Sequence, residues 1–380
     1  MKMQAAVLRQ FNAPQPFSAS NPLSIEEVEL LPPQHGELLV KIGGGGVCHS
    51  DLSVINADRP RNTPVVMGHE GAGEIVECGP GNTDLKVGDH VVFQFSPSCG
   101  RCRRCLEGRP QVCELGAVTK AQGHLMNGGT RLLDADGVEL AHHSGVSCFA
   151  EYGVLDRGSI VKIDNDLPLH EAALFGCAVM TGVGAVINTA RILPGDSVAI
   201  VGLGGVGLSG LLGAVLAGAE KIIAIDLSDE KLGLARQLGA THTINATNPD
   251  HIEQARDATD GGVDFAFDLA GTIKAMETAY EVTRYGGSVV TAGLSPSVEK
   301  FAFNQSNLVS QEKSIRGSYM GSCVPVRDIP RFISLYRQGR LPVDRLLDRT
   351  IEFEELNSAF DRLQANTTVR QVLVPNGLNW

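Results

Sequence analysis

The amino-acid sequence predicts an α/β protein of two domains, one β-rich and one built on a doubly wound parallel sheet. Three observations carry that prediction. The chain has 380 residues, more than one domain usually holds. Glycine is abundant at 44 residues while aromatic residues make up only 5%, which favours sheets and tight turns over a helical bundle. From residue 197 onward, strand-like and helix-like runs alternate.

The elements follow in order. Residues 1–8 carry one early lysine but no long apolar core and no small-residue cleavage site, so they read as a first strand. Up to about residue 163, short strand-like runs such as 38–42, 73–76 and 90–95 are punctuated by glycine and proline, as in a β-barrel-like unit. The connection 113–149 is long, a length that goes with a functional or interface role. Residues 174–190 read as a helix rich in small residues. Strands are then expected at 197–202, 221–226, 241–245, 263–269, 287–292 and 314–319, with helices at 206–217, 229–238 and 274–284. The tail offers helices at 329–338 and 354–365 and a strand at 370–374. A strand and two helices form no core alone, so the tail is expected to rejoin the first domain. The expected domains are 1–178 with 322–380, and 179–321.

Composition excludes several classes. A formal charge of −11 disfavours broad binding to nucleic acid or anionic membrane. No run of about 18 apolar residues occurs, so no membrane span is expected, and the expected location is cytoplasmic. Nine cysteines in a long chain without an export signal point to metal binding or catalysis rather than disulfides.

Cys99, Cys102, Cys105 and Cys113 form C-x2-C-x2-C-x7-C, with Gly100 and Gly108 helping the chain turn. Thiolates at this spacing can converge on one tetrahedral ion, and four sulfurs with no open position suit structural zinc. An iron–sulfur cluster also takes four cysteines, but this spacing differs from the usual ferredoxin runs. Cys48, His69 and Cys177 offer a second set. Two thiolates and one imidazole leave a fourth position free, as catalytic zinc requires. Spacing does not show that these three converge, and each is also an ordinary core or structural residue type. Cys78, Cys148 and Cys323 read as small core or pocket residues.

Residues 198–201 lead into Gly202-Leu203-Gly204-Gly205-Val206-Gly207. A glycine-rich turn between a strand and a helix is the context of a dinucleotide site, with pyrophosphate at the helix N-terminus. Asp226 ends the next strand, where its carboxylate can accept hydrogen bonds from ribose hydroxyls. It would repel the extra phosphate of NADP, and Leu227 and Ser228 bring no cation, so NAD is the expected cofactor.

Taken together, Cys48-His49-Ser50-Asp51, Gly68-His69-Glu70-x-x-Gly73, the four-cysteine loop and the glycine-rich turn occur in the order seen in zinc-dependent alcohol dehydrogenases. The chain thus resembles the medium-chain dehydrogenase/reductase superfamily from Ala5 to Val374, and most of all its liver-type, long-loop group. The resemblance implies a GroES-like catalytic domain and a Rossmann cofactor domain, two zinc ions per chain, NAD, a small alcohol or aldehyde substrate, and a homodimer through the sheet edge near 314–321, with a tetramer as the other assembly. It implies Cys48, His69 and Cys177 as catalytic-zinc ligands and Glu70 as the acid that eases ligand exchange. Asp51 would orient His69, and Ser50 would begin the proton relay. His49, Lys231 and Arg370 would contact the cofactor, and Phe95 and Leu294 would line the substrate pocket.

This chain departs from the family at three places. Ser53 stands where many members carry a relay histidine. Ala117 stands where glutathione-dependent formaldehyde dehydrogenases carry a carboxylate-gripping arginine, which argues against that alternative activity. Around His142-His143 the segment is one residue shorter than in the liver-type group, so no pocket residue carries over there. Zinc-free reductases on the same fold, the non-catalytic alternative, lack the ligand trio. A zinc-finger-like binding module fits neither the acidity nor the nucleotide motif.

Overall fold

The computed structural model describes residues 1–378 and separates them into two units. The first comprises 1–177, 324–333 and 347 onward; the second comprises 178–323 and 334–346.

In the first unit, strand Lys2–Leu8 pairs antiparallel with Leu23–Leu30, from Lys2↔Glu29 to Leu8↔Leu23. These two close into a small barrel with Leu132–Leu133, Glu139–His142 and Val65–Val66. The barrel is lined by buried Ala5, Val7, Val28, Leu30 and Leu140. A second, seven-stranded sheet is organised around the long strand Glu37–Val47, which pairs with Gly71–Cys78 and Tyr152–Asp156. The end of that strand also receives the tail strand Gln371–Leu373, with Gln371 opposite Val47 and Leu373 opposite Gly45.

The second unit holds a six-stranded parallel sheet. Its order is 242–245, 221–226, 197–201, 263–268, 283–291, 314–317. The strands are buried, apolar and β-branched at the centre, as Val198–Val201 and Ile222–Ile225 show. Strand order reverses between 197–201 and 263–268, the switch point at which such sheets bind ligands.

Three of the differences from the sequence reading concern the break at Cys177 and the chain's tail. The continuous helix expected over 174–190 is broken. Residues 169–176 form short helical turns, Cys177 leaves helical geometry at φ −138°, ψ −72°, and helix resumes at Ala178. A straight helix would carry the Cys177 thiol away from the other sulfur donors of the first unit. Residues 334–346 group with the second unit rather than with the tail, and Arg345 there donates to the Gln237 carbonyl. The tail helix read as 354–365 is Leu356–Gln364, preceded by a tight turn capped by Glu352 and Glu355.

The long connection 113–149 is held by a buried ion pair. Arg131 Nε and Nη2 donate to the two Glu37 oxygens at 2.9 and 2.7 Å, with Glu37 fully buried. Removing one partner strands a charge in the interior. Arg131→Met is expected to lower stability by about 3–5 kcal/mol in urea unfolding, while Arg131→Lys retains part of it.

Candidate metal centres and nucleotide site

The four-cysteine loop brings its sulfurs together. Cys99, Cys102, Cys105 and Cys113 offer donor atoms all within 4.8 Å of one another. Cys102 Sγ lies 3.6 Å from Cys105 Sγ and 3.8 Å from Cys113 Sγ. Backbone N–H groups of Cys99 and Gly116 point at Cys113 Sγ, and that of Cys102 points at Cys99 Sγ. Such donors favour thiolate, and backbone N–H bonds hold the Cys102 thiol down to about 6. Burial pushes Cys105 up to about 12, so the loop does not ionise fully by itself. A closed set of four sulfurs, aided by N–H donors, fits zinc. All nine cysteines are free thiols.

The second set converges from three segments. Cys48 caps the start of helix His49–Ile55, His69 and Glu70 precede strand Gly71–Cys78, and Cys177 sits at the helix break. Their donor atoms, Glu70 included, lie within 4.8 Å of one another, and all four residues are buried. Cys177 Sγ is 3.6 Å from His69 Nε2. The glycine run before Cys48 makes room for this approach. A Cβ on Gly46 would stand 2.8 Å from the Glu70 carboxylate carbon.

Electrostatics mark the same spot. The Cys48 thiol is held well below its ordinary range by hydrogen bonding with Cys177 and by the Arg370 guanidinium, against the effect of burial. Burial raises Glu70 to about 7, against the pull of Arg370. Burial would lower His69, but the Asp51 carboxylate and Cys48 outweigh it and lift it to about 10. Glu70 Oε2 accepts from Arg370 Nη2 at 2.5 Å, while Oε1 is buried with no hydrogen-bond partner among the described residues. An orphaned carboxylate oxygen beside two thiols and an imidazole fits a divalent, zinc-like ion.

Asp51 orients the imidazole. His69 Nδ1 lies 2.9 Å from Asp51 Oδ1, which leaves Nε2 facing the sulfurs. The sequence did not point to a second imidazole on the same oxygen. His143 Nδ1 is 3.1 Å from Asp51 Oδ1, and its ring meets the His69 ring edge-on at 5.4 Å. The signal was faint, because His143 sits in the segment whose length departs from the liver-type pattern. Phe95 packs its ring at 88° to His69, with centroids 5.5 Å apart.

Other expected residues fall as follows. Ser50 lies in the first turn of helix His49–Ile55, and His49 beside it is exposed. The Ser53 hydroxyl turns back to donate to the His49 carbonyl at 2.9 Å. Arg370 is buried and donates to Glu70 and, at 3.1 Å, to the Val47 carbonyl. Cys148 donates to the Glu70 carbonyl at 3.2 Å. Leu294 belongs to the second unit and is half exposed.

In the second unit, Gly202 takes a positive φ of +91° at the strand end. Gly204 is the N-cap of helix Gly205–Ala217, and nothing lies within 4 Å of a Cβ placed on it. A Cβ on Gly207 would stand 1.7 Å from the Gly202 carbonyl oxygen, so the helix and strand pack tightly there. Asp226 accepts from the backbone N–H groups of Leu203 at 2.6 Å and Ser228 at 2.9 Å, which fixes its carboxylate beside the turn. Lys231 is buried in helix Asp229–Gln237, and Val206 follows Gly205 in the first helical turn. Open backbone at a helix N-terminus with an acid alongside fits a dinucleotide.

Comparison with known proteins gives the same picture. The alcohol dehydrogenase GroES-like domain family matches residues 34–165, and the zinc-binding dehydrogenase family matches residues 205–338. The chain is 35% identical to S-(hydroxymethyl)glutathione dehydrogenase of Paracoccus denitrificans, over 94% of this chain and 98% of that protein. It is 37% identical to S-(hydroxymethyl)glutathione dehydrogenase of Synechocystis, over 98% and 100%. The crystal structure of benzyl alcohol dehydrogenase from Acinetobacter calcoaceticus matches with a TM-score of 0.91 at 33% identity, covering 98% of this chain and 99% of that one.

The Asp51 contact yields a direct test. Asp51→Asn is expected to weaken metal binding at the Cys48 site by about 10–100-fold. Chelator competition with zinc quantified per chain would show one ion lost early and the four-cysteine ion retained.

Proposed function

We infer the working roles of these residues from one fact: the chain belongs to the zinc-dependent alcohol dehydrogenases of the medium-chain dehydrogenase/reductase superfamily. It is an oxidoreductase that interconverts alcohols with aldehydes or ketones, using zinc and a nicotinamide dinucleotide. The observation that carries its active site is the convergence of Cys48, His69, Cys177 and Glu70 on one buried point.

Cys48, His69 and Cys177 would hold the catalytic zinc, and Cys99, Cys102, Cys105 and Cys113 the structural one. When bound, zinc supplies positive charge for the reacting oxygen and the cofactor supplies the two-electron redox chemistry. The protein's own groups do the rest. Asp51 keeps His69 in the tautomer that presents Nε2. Glu70, with one oxygen on Arg370 and the other unpaired, stands ready to approach the metal during ligand exchange. Ser50 takes the alcohol proton and hands it toward solvent. Ser53 does not extend that path, because its hydroxyl is engaged by the His49 carbonyl. The Gly202–Gly207 turn would bind the pyrophosphate and Asp226 the ribose, which favours NAD over NADP. Lys231, His49 and Arg370 would add cofactor contacts. In Arg370 that role is shared with its Glu70 ion pair.

The residue ranges 1–178 with 322–380, and 179–321, would be the catalytic and cofactor-binding domains, apart from the exchange at 334–346. Phe95 against His69 would give an apolar wall suited to medium-chain primary or aromatic alcohols, with Leu294 as a further lining residue. The named activity of the benzyl alcohol relative agrees with this. Subgroup membership would be liver-type. The names of the two glutathione-linked relatives supply a second reading, against which Ala117 stands. No single helix among the described residues is long and apolar enough to cross a membrane, and a cytoplasmic enzyme is the proposal. Strand Ser314–Gly317 is the exposed edge of the six-stranded sheet, and pairing through it would give a homodimer.

Turnover of benzyl alcohol followed by NADH absorbance tests the reading. NAD should support it far better than NADP, and metal removal should abolish it. Ser50→Ala should lower kcat by roughly a hundredfold or more with zinc content unchanged. Loss of metal without loss of turnover would overturn the assignment.

Light scattering should give twice the chain mass. Ser314→Pro, placed in the edge strand, should shift the protein toward monomer.

A further inference from the structure

In the second unit, four neighbouring strands reach their carboxyl ends in one register row: Val201, Asp268, Thr291 and Gly317. Strand order reverses within that row, between Val201 and Asp268. Asp268 is the acid of the row, and it is only 3% exposed. Its carboxylate fastens two turns together. Oδ1 accepts from the backbone N–H groups of Ala270 and Gly271, both at 3.3 Å, in the turn after its own strand. Oδ2 accepts from the Thr291 hydroxyl at 2.8 Å, at the end of the next strand. The Asp268 carbonyl accepts from the N–H groups of Ala292 at 3.0 Å and Gly293 at 3.2 Å, beyond that strand.

The fit leaves no spare room. A Cβ on Gly293 would stand 2.6 Å from Asp268 Oδ2, and as close to the Gly271 backbone. A Cβ on Gly202, the first residue of the glycine-rich turn, would stand 2.6 Å from the Ala270 Cβ. The Leu269 N–H donates to the Val201 carbonyl at 2.9 Å. The turn 269–271 therefore lies directly against the glycine-rich turn. Burial pushes the Asp268 carboxyl above its ordinary range, and the Thr291 hydroxyl with the two backbone N–H groups pulls against that. A buried acid is costly where an apolar residue would pack, so its place at the switch point is a functional signal.

A dinucleotide crosses such a switch point with one half on each side. Asp226 ends strand Lys221–Asp226, on one side of strand Ser197–Val201, where it would take the adenosine ribose. The nicotinamide half then falls to the other side, that of strands Val263–Asp268 and Thr283–Thr291. We propose that Asp268 is a positioning residue for the nicotinamide half of the cofactor, holding turns 269–271 and 291–293 at the spacing that receives it. This rests on the NAD reading above and assigns a residue to the half that Asp226 does not serve. Asp268 acts through the backbone it fixes.

The test titrates the zinc-loaded enzyme with NADH and with ADP-ribose, which lacks nicotinamide, by calorimetry. Asp268→Ala should weaken NADH about tenfold or more, while ADP-ribose affinity changes by less than about twofold. Asp268→Asn keeps one acceptor oxygen for the two N–H groups and should restore most of the NADH affinity. Thr291→Val removes one hydrogen bond and keeps the side-chain shape. It should give a smaller loss in the same direction, and it carries the test if the alanine variant does not fold. Gly293→Ala sets a methyl against Oδ2 and should act like Asp268→Ala. Equal losses for NADH and ADP-ribose would overturn the proposal, because the carboxylate would then support the unit as a whole. NADH affinity that none of these variants moves would overturn it as well. An unmodified enzyme that binds neither ligand would sink the NAD reading, whereas one that binds both, with a ratio the variants leave unchanged, sinks the positioning role alone.

Discussion

The first unit is organised by the need to keep several acids buried together. Two thiols, Cys48 and Cys177, share a site with two carboxylates, Asp51 and Glu70, and every one of them is shielded from water. Burying unpaired charge is far more costly than burying apolar groups, so each acid must find a cation or stay protonated. Arg370 provides one fixed positive charge, bonded to Glu70 and lowering Cys48. His69 provides a second only when protonated, and a protonated imidazole cannot bind metal through Nε2. A divalent cation held by these residues would resolve the deficit. It would let His69 be neutral, both thiols ionise and Glu70 keep its link to Arg370.

That balance depends on strand register. Strand Glu37–Val47 ends in four glycines and delivers Cys48. His69 and Glu70 lie just before its neighbour Gly71–Cys78, and Arg370 just before the tail strand, whose Gln371 stands opposite Val47. A shift of one residue on any of the three would turn its functional side chain to the other face of the sheet. The glycines are needed because the Glu70 carboxylate, Phe149 and residues 169–170 press against that strand where side chains would otherwise project.

Much of this was legible in the sequence, and the reasons differ by element. The parallel sheet was visible because buried strands read as continuous apolar runs between helical periods. The four-cysteine loop was visible because its ligands are close in sequence, so spacing alone reports geometry. Cys48, His69 and Cys177 are far apart in the chain, and only resemblance joined them. The break at Cys177 was hidden, since small helix-forming residues surround it and the turn is imposed by packing. The shared Asp51 oxygen was hidden for the same reason. It joins residue 51 with residue 143 through a contact that no local pattern encodes.

The tail strand at 371–373 has a consequence for biosynthesis. It is a component of the central sheet of the first unit, and it carries the guanidinium that offsets the buried acids, yet it lies after the whole six-stranded sheet in the chain. As the polypeptide leaves the ribosome, the second unit has all its strands before the first has its last one. Domains tend to fold as units in order of emergence. Here the earlier-made unit remains an incomplete sheet until residues 370–373 have been made and paired. The Cys48, His69 and Cys177 donors are thus expected to gain Arg370 beside them late, whereas the four-cysteine loop, local in sequence, can assemble while the chain is still growing.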